Sequence, residues 1–416
     1  MAPSDRPGPG SPDGPRGENR GQEPAWNPKA EARGPHALEL VTRPEEVLPL
    51  EIRDGLRNRE AELRQALGTV RDDGRHPAIA EMDAADIHRD LAALRGALGE
   101  DTREDLTSAW AAMARGFEHA KSEGGSVGDY LKVRGYARAA VHAGADGKWQ
   151  LANRWFGQAE RSLQELPSRW PDGGPLDAAA SIGRGQLWDC ELQAGLLMLD
   201  QGDQPDGGDN ELAWMRLKAL EPPGRQNLYH ERGLLIAGLR SGREPSPKKA
   251  FEQAKTIAAR FAARGQLAEA VKTDLILAGD LLERARASRD TPDDASGWAR
   301  KAKANMDAEF AITLVQESRP FVRAAFVESP DSPTTLRLSG LSFWTEAVVS
   351  GGIRPGPDRP PKPGLRGFRL DKASRQLGEA GDPRAALLHR QLQSGTLDLP
   401  PMPLHGPFFK PADPTR

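Results

Sequence analysis

The chain has 416 residues, of which 38% are hydrophobic, and its formal net charge is −3 at pH 7 with a pI near 6.3. This length suffices for roughly two or three domains, and the lack of a basic excess predicts no nucleic-acid partner. The single cysteine, Cys190, excludes an intrachain disulfide and a cysteine-based zinc site.

The first part of the sequence is rich in proline and glycine. Residues 1–35 contain eight Pro and six Gly without apolar periodicity, so we expect a disordered tail. These residues show no apolar segment typical of a signal peptide, and the apolar stretch 233–239 is too short to cross a bilayer. We therefore predict no membrane insertion and a cytoplasmic location, with export without a signal as the alternative. The excess of Arg over Lys, with abundant Ala and Gly, is typical of GC-rich bacterial genomes.

Residues 36–125 are predicted to form an N-terminal helical region. Apolar residues recur there at the spacing of one helical face, in three successive stripes. Thr102 and Asp105 have the spacing of a capping box and predict the start of the third helix. The stripes consist of Leu56, Leu63, Leu67 and Val70, then Ile87, Leu91, Leu94 and Leu98, then Leu106, Trp110, Met113 and Phe117.

Residues 126–350 are predicted to form a helical body. Ser126 and Asp129 again have capping-box spacing before a helix over 130–143, and Pro167 is expected to end a helix that begins at residue 149. Segments 321–327 and 335–341 are the best strand candidates, but their periodicity is ambiguous. The other predicted helices cover 177–200, 211–220, 226–241, 247–264, 266–288, 296–317 and 333–349.

The last part of the sequence is divided by proline. A Pro-rich linker over 351–367 is expected to precede a C-terminal helix pair within 368–395, and residues 396–416 are predicted to be an irregular tail. Consecutive amphipathic helices joined by short turns predict an all-α fold of antiparallel helix pairs, either stacked or packed as an irregular bundle.

One stretch, residues 136–163, resembles a tetratricopeptide repeat. It has the family's spacing of small residues, a turn glycine and an aromatic residue: Ala139, Ala140, Ala143, Gly147, Ala152, Phe156 and Ala159. A partial match runs over 251–277 around Gly265, but Asp274 stands where an aromatic belongs. A weaker match surrounds Gly381. The resemblance implies a degenerate α-solenoid of stacked antiparallel helix pairs.

The resemblance also implies a concave groove that binds peptides. The first helices of each pair would line it, and Arg134, Arg138 and Lys255 would face it and pair with a partner's carboxylates. The simpler interpretation is that these three cations lie on ordinary solvated faces.

No coherent catalytic, cofactor-binding or metal-ligating motif is found in the sequence. The letters of a nucleophile elbow occur at 124–128, but the preceding helix is the wrong context, so a glycine turn with Ser126 as a helix cap is expected. An adjacent His–carboxylate pair occurs at His230 and Glu231, after Tyr229, but no further catalytic residues accompany it in the sequence. The aspartate pairs at 72–73 and 293–294 are typical of turns. Cys190 is predicted to pack inside a helix. We therefore expect no cofactor and no metal.

These observations predict a non-enzymatic scaffold or adaptor that binds a protein or peptide partner, with its oligomeric state open. Two alternatives remain. One is an all-α enzyme whose site is assembled from residues distant in sequence, and the other is a signal-less secreted bacterial effector or accessory factor.

Overall fold

A computed structural model describes residues 48–72, 74–169, 210–220, 227–243, 246–290, 297–352, 363–400 and 402, with isolated helical residues between 188 and 199. Every regular element in these ranges is an α-helix, which confirms the predicted all-α class. The helices are α1 (Leu50–Thr69), α2 (Pro77–Ala97), α3 (Arg103–Glu123), α4 (Gly125–Ala145), α5 (Trp149–Arg169), α6 (Asn210–Ala219), α7 (Leu228–Arg240), α8 (Pro247–Ala262), α9 (Leu267–Asp290), α10 (Gly297–Glu328), α11 (Pro333–Gly352), α12 (Pro363–Glu379) and α13 (Arg384–Ser394).

Three glycines turn the chain between packed helices. Gly147, Gly265 and Gly381 have φ angles of 72°, 73° and 59°, a left-handed conformation that glycine adopts without steric cost. They separate α4 from α5, α8 from α9, and α12 from α13, and each of these pairs is in contact. Because the connections are short, the paired helices run antiparallel.

The two ends of the described chain meet. Most helices pack against their neighbour in sequence, but α12 also packs against α1 and α13 also contacts α2. The crossing of α1 and α12 depends on glycine, because a Cβ on Gly55 would overlap the carbonyl group of Gly378 and lie 2.8 Å from its carbon. Trp344 on α11 donates a hydrogen bond of 2.7 Å to the carbonyl oxygen of Asp398, which holds the following segment. The C-terminal pair therefore docks on the first helices.

Several helix boundaries differ from those predicted. The helix α5 continues past Pro167 to Arg169, because a proline in the last turn removes only one terminal backbone hydrogen bond. The helix α10 continues past Pro320 to Glu328. Next to this proline, Arg319 pairs with Glu346 on α11. Tertiary packing thus outweighs the proline penalty there. Both ambiguous strand candidates, 321–327 and 335–341, are helical.

Neither predicted capping box forms as expected. Thr102 precedes α3 but its side chain makes no cap hydrogen bond, whereas Asp101 accepts one of 3.0 Å from the backbone N–H of Arg103. Asp105 instead pairs with Arg95 at 2.9 Å. Ser126 lies inside the first turn of α4, after Gly124 and Gly125, so it does not precede that helix. The helix starts were predictable, but the side chains that stabilise them were not.

The predicted regions correspond to the described helices as follows. Residues 36–125 contain α1 to α3, and 126–350 correspond to α4 to α11 except that α4 begins at residue 125 and α11 ends at residue 352. The predicted linker begins as α11 ends at residue 352, and α12 starts at 363, five residues before the predicted C-terminal pair. The tail 1–35, the linker residues 353–362 and residues 403–416 lie outside the described residues. None of the helices in the described part is both long enough and apolar enough to span a membrane.

Candidate functional site

Two of the three cations expected to face a groove are paired inside the protein. Arg134 and Arg138 lie one turn apart on α4, and both side chains are 19% exposed. They approach the carboxylate of Asp83 on α2, at 3.9 and 3.7 Å, and Arg138 also pairs with Asp86. Their charges are therefore balanced within the fold.

This ion-pair cluster continues into a buried polar network between α2, α3 and α4. Arg89 donates hydrogen bonds to His142 Nδ1 (2.6 Å) and to Asp146 Oδ1 (2.5 Å). Since a guanidinium can only donate, Nδ1 of His142 accepts, and its Nε2 carries the proton toward Asp86 Oδ1 at 2.8 Å. Trp110 Nε1 donates to the other oxygen of Asp146 at 3.1 Å.

The network holds His142 neutral. Burial lowers the pKa of His142 well below its usual range, and the charges of Arg89 and Arg138 lower it further. Each hydrogen-bonding group of the imidazole has a partner in the protein. The arrangement has the residue types of an acid–base site. Because it is fully buried and its hydrogen-bonding groups already have partners in the protein, it is suited to stabilising the packing of three helices.

The third expected groove residue, Lys255, lies in a different cluster. Its Nζ on α8 is 3.2 Å from a carboxylate oxygen of Glu317 on α10, and these side chains are 39% and 45% exposed. The same Nζ lies 5.4 Å from the ring centroid of Phe251, which stacks on Phe310 of α10 at 4.9 Å. The structure thus places the three cations in two clusters, one against α2 and one between α8 and α10.

A buried carboxyl group lies beside this second cluster. Asp274 is on α9, which packs against both α8 and α10, and only 1% of its surface is exposed. Neither carboxyl oxygen has a hydrogen-bond partner in the protein. Burial, and then the negative charge of Glu317, raise the pKa of Asp274 to about 8, while Lys255 opposes this shift. At pH 7 the carboxyl group is therefore mostly protonated.

Among the buried aspartates in the described part of the chain, Asp274 and Asp307 both lack a hydrogen bond to their carboxyl oxygens, but only Asp307 has a cation within ion-pair distance. Asp307 lies 3.3 Å from Nε of Arg284, and Asp382 pairs with Arg337 at 2.7 Å and with Arg384 at 2.6 Å. Asp86 and Asp146 belong to the network described above. Buried carboxyl groups normally have such partners, because an unpaired one is strongly unfavourable. We name Asp274, Lys255 and Glu317 the α8–α10 site.

A second pair of carboxyl groups lies near α5 and α6. The Glu160 and Glu191 side chains are hydrogen-bonded, and burial followed by this hydrogen bond raises the pKa of Glu191 to about 7. The guanidinium of Arg216 lies 4.7 Å over the ring of Phe156 and donates to Asn153 Oδ1 at 3.2 Å. This group is assembled from residues distant in sequence.

The remaining residues that the sequence singled out are not brought together. His230 Nε2 hydrogen-bonds the carbonyl oxygen of Leu217 at 2.6 Å, whereas Glu231 accepts from Arg260 at 2.5 Å. Cys190, Asp73 and the aspartate pair at 293–294 lie outside the described residues. Within the described ranges, no group of three or more His, Cys, Asp or Glu side chains has an arrangement that holds a metal ion.

Sequence reasoning noticed Asp274 but assigned it no role. One feature of the sequence indicates that this carboxyl group is buried. The aspartate lies within the apolar face of α9, between Val271 and Leu275, at the position where the repeat pattern has an aromatic. Glu317 gave no signal, because its pairing with α8 depends on the packing of α8 and α10.

Comparisons with known proteins do not identify a relative. A scan against protein-family models finds no match to the chain. Searches of curated protein sequences and of solved structures also find no significant match.

Proposed function

We propose that this chain is a non-enzymatic scaffold or adaptor that binds a protein or peptide partner, and that the α8–α10 site takes part in binding. The observation that supports this is the contrast between two polar clusters. The buried network around His142 hydrogen-bonds its polar groups internally. The α8–α10 site instead leaves the carboxyl of Asp274 without a partner, near a half-exposed ion pair that acts on it. Buried polar groups in folded proteins are normally hydrogen-bonded, so a buried carboxyl without a partner is a candidate contact for a ligand.

The resemblance to tetratricopeptide repeats is consistent with this proposal and adds its own expectation. In that family the first helix of each pair lines the peptide-binding groove, and α8, which carries Lys255, is the first helix of the pair joined at Gly265. Arg134 and Arg138 fit the proposal less well, since a partner's carboxylate must compete with Asp83 and Asp86 for them.

Site-specific photo-crosslinking tests the proposal. A photo-reactive amino acid replaces Glu252, which is exposed on α8 one turn before Lys255, in the full chain expressed in its native cells. The matched control replaces Glu62, an equally exposed position on α1. We expect a discrete protein adduct at 252 that excess unlabelled chain competes away, and none at 62. Equal adducts at both positions, or none, would contradict the proposal.

An all-α enzyme is the second candidate, and the Glu160–Glu191 pair is the observation that favours it. Two neighbouring carboxyl groups, one of them with a pKa raised to about 7, are typical of general acid–base sites. Arg216 supplies a neighbouring positive charge for an anionic substrate group. Turnover of a substrate that the Glu160→Gln variant abolishes, while the Glu165→Gln variant five residues further along α5 retains it, would favour this candidate over the scaffold.

A further inference from the structure

The surroundings of the Asp274 carboxyl group provide no hydrogen-bond partner for its oxygens. Buried apolar residues flank it along α9: Ala270, Val271, Leu275, Leu277 and Ala278. The other buried cation of this region, Arg232 on α7, is engaged elsewhere, with Glu269 at 2.7 Å and Thr273 at 3.4 Å. An aliphatic or aromatic residue at position 274 would avoid an unpaired buried carboxyl, so packing alone does not explain this aspartate.

Two flexible charged side chains on the neighbouring helices act on Asp274. Lys255 on α8 and Glu317 on α10 form an ion pair between the two helices that flank α9. Both side chains are more than a third exposed, so separating them costs little, because water solvates each charge. A ligand that reaches Asp274 from this side would have to separate the pair.

The charge balance indicates which ligand fits. With Asp274 ionised, the α8–α10 site holds two carboxylates and one ammonium group, so one added positive charge neutralises it. An anionic group would face two carboxylates for one lysine. We propose that Asp274 and Glu317 receive a cationic side chain of a bound peptide, a lysine ammonium or arginine guanidinium, which displaces Lys255 from Glu317. This inference rests on the proposed binding function and specifies the chemistry of the group bound.

Binding of a cation has a measurable signature because Asp274 begins protonated. Its pKa of about 8 in the free protein leaves the carboxyl mostly neutral at pH 7. A cation bound against it favours the ionised form, so the proton leaves as the ligand enters. Lys255 on α8 and Glu317 on α10 are the charged groups acting on Asp274.

Isothermal titration calorimetry of the full chain tests this inference. The probes are N-acetyl-lysine methylamide and N-acetyl-arginine methylamide, with neutral N-acetyl-norleucine methylamide as the control ligand. Titrations at pH 7 in two buffers of different ionisation enthalpy report the protons released. We expect a cationic probe to bind with the release of about one proton, and Asp274→Asn to weaken binding at least about tenfold and abolish that release.

Two further variants make the outcome decisive. Asp307→Asn alters a buried aspartate that already has Arg284 beside it, and it should leave probe binding unchanged. Glu317→Gln lies at the half-exposed edge and should fold normally, so its weakened binding supports the inference even if Asp274→Asn is unstable. Cationic probes that bind no better than the norleucine probe would overturn the inference. Unchanged binding by both Asp274→Asn and Glu317→Gln would also overturn it.

The failures of the two proposals are distinguishable. If a partner crosslinks at position 252 with equal yield in the Asp274→Asn background, the scaffold function stands and the cationic contact is wrong. If the cationic probes bind as described but no partner crosslinks at 252, the site chemistry stands and the scaffold function is wrong.

Discussion

Replacement of Asp274 by asparagine is expected to remove one pH-dependent contribution to folding stability. In the unfolded chain an aspartate titrates with a pKa of about 3.9. In the folded protein, burial and the charge of Glu317 raise the pKa of Asp274 to about 8. Between these values the folded state holds a proton that the unfolded state has released. The free energy of unfolding therefore falls as pH rises.

The magnitude follows from proton linkage. One proton corresponds to about 1.4 kcal/mol per pH unit, so the Asp274 contribution falls on the order of 3 kcal/mol between pH 5 and pH 7. The fall stops above about pH 8, where both states are ionised. Asparagine has the same shape but does not titrate, so the difference between wild type and Asp274→Asn isolates this group from other titrations.

Urea unfolding followed by circular dichroism, at intervals from pH 3 to pH 9, measures the prediction. The free energy of unfolding of wild type, relative to Asp274→Asn, should decrease steadily to pH 8 and then level off. Parallel pH profiles of the two proteins would refute the reasoning. A relative stability that rises between pH 3 and pH 5 would also refute it, since it would mean that Asp274 is ionised and paired with a cation inside the fold.

Three further predictions concern the fold and the second carboxyl pair. Gly55→Ala should destabilise the chain by about 2 kcal/mol in urea unfolding, because the added methyl group overlaps the backbone of α12, whereas Gly68→Ala on the same helix meets open space and should stabilise by up to about 1 kcal/mol. Equal effects would contradict the described closure. Glu160→Gln should lower the pKa of Glu191 below about 7 and so reduce the loss of stability between about pH 5 and pH 7; an unchanged pH profile would show that the two carboxyl groups do not interact. Burial raises the pKa of Asp382, but Arg384 and Arg337 outweigh it and hold that pKa below its usual range. Asp382→Asn should therefore lower the free energy of unfolding by about 3 kcal/mol at pH 7 and by less below pH 4. A loss that is the same at both pH values would argue against this ion pair.

Local features of the fold were predictable from the sequence because they depend on nearby residues. The glycines at 147, 265 and 381 were expected to turn the chain, and each has a positive φ between two packed helices. Helical periodicity located the elements, since the apolar stripe of a helix is a property of its own sequence. The extension of α10 through Pro320 was missed, because contacts with α11 stabilise it.

Features that depend on distant residues could not be predicted in this way. The docking of α12 on α1 brings together Gly55 and Gly378. The sequence around one of these glycines does not predict its contact with the other. Arg134 and Arg138 were expected to face a partner, but their aspartates lie on α2, about fifty residues earlier in the chain. A single sequence shows a charge, but it does not show whether the fold already neutralises it.

The central claim is that the α8–α10 site is incomplete without a cationic group. A carbon-13 NMR titration of the Asp274 carboxyl carbon, assigned by comparison with Asp274→Asn, tests it most directly. The account predicts a titration midpoint near pH 8 in the free protein, and a clearly lower midpoint in the presence of N-acetyl-lysine methylamide. A midpoint near pH 4 in the free protein, or one that the probe does not move, would contradict it.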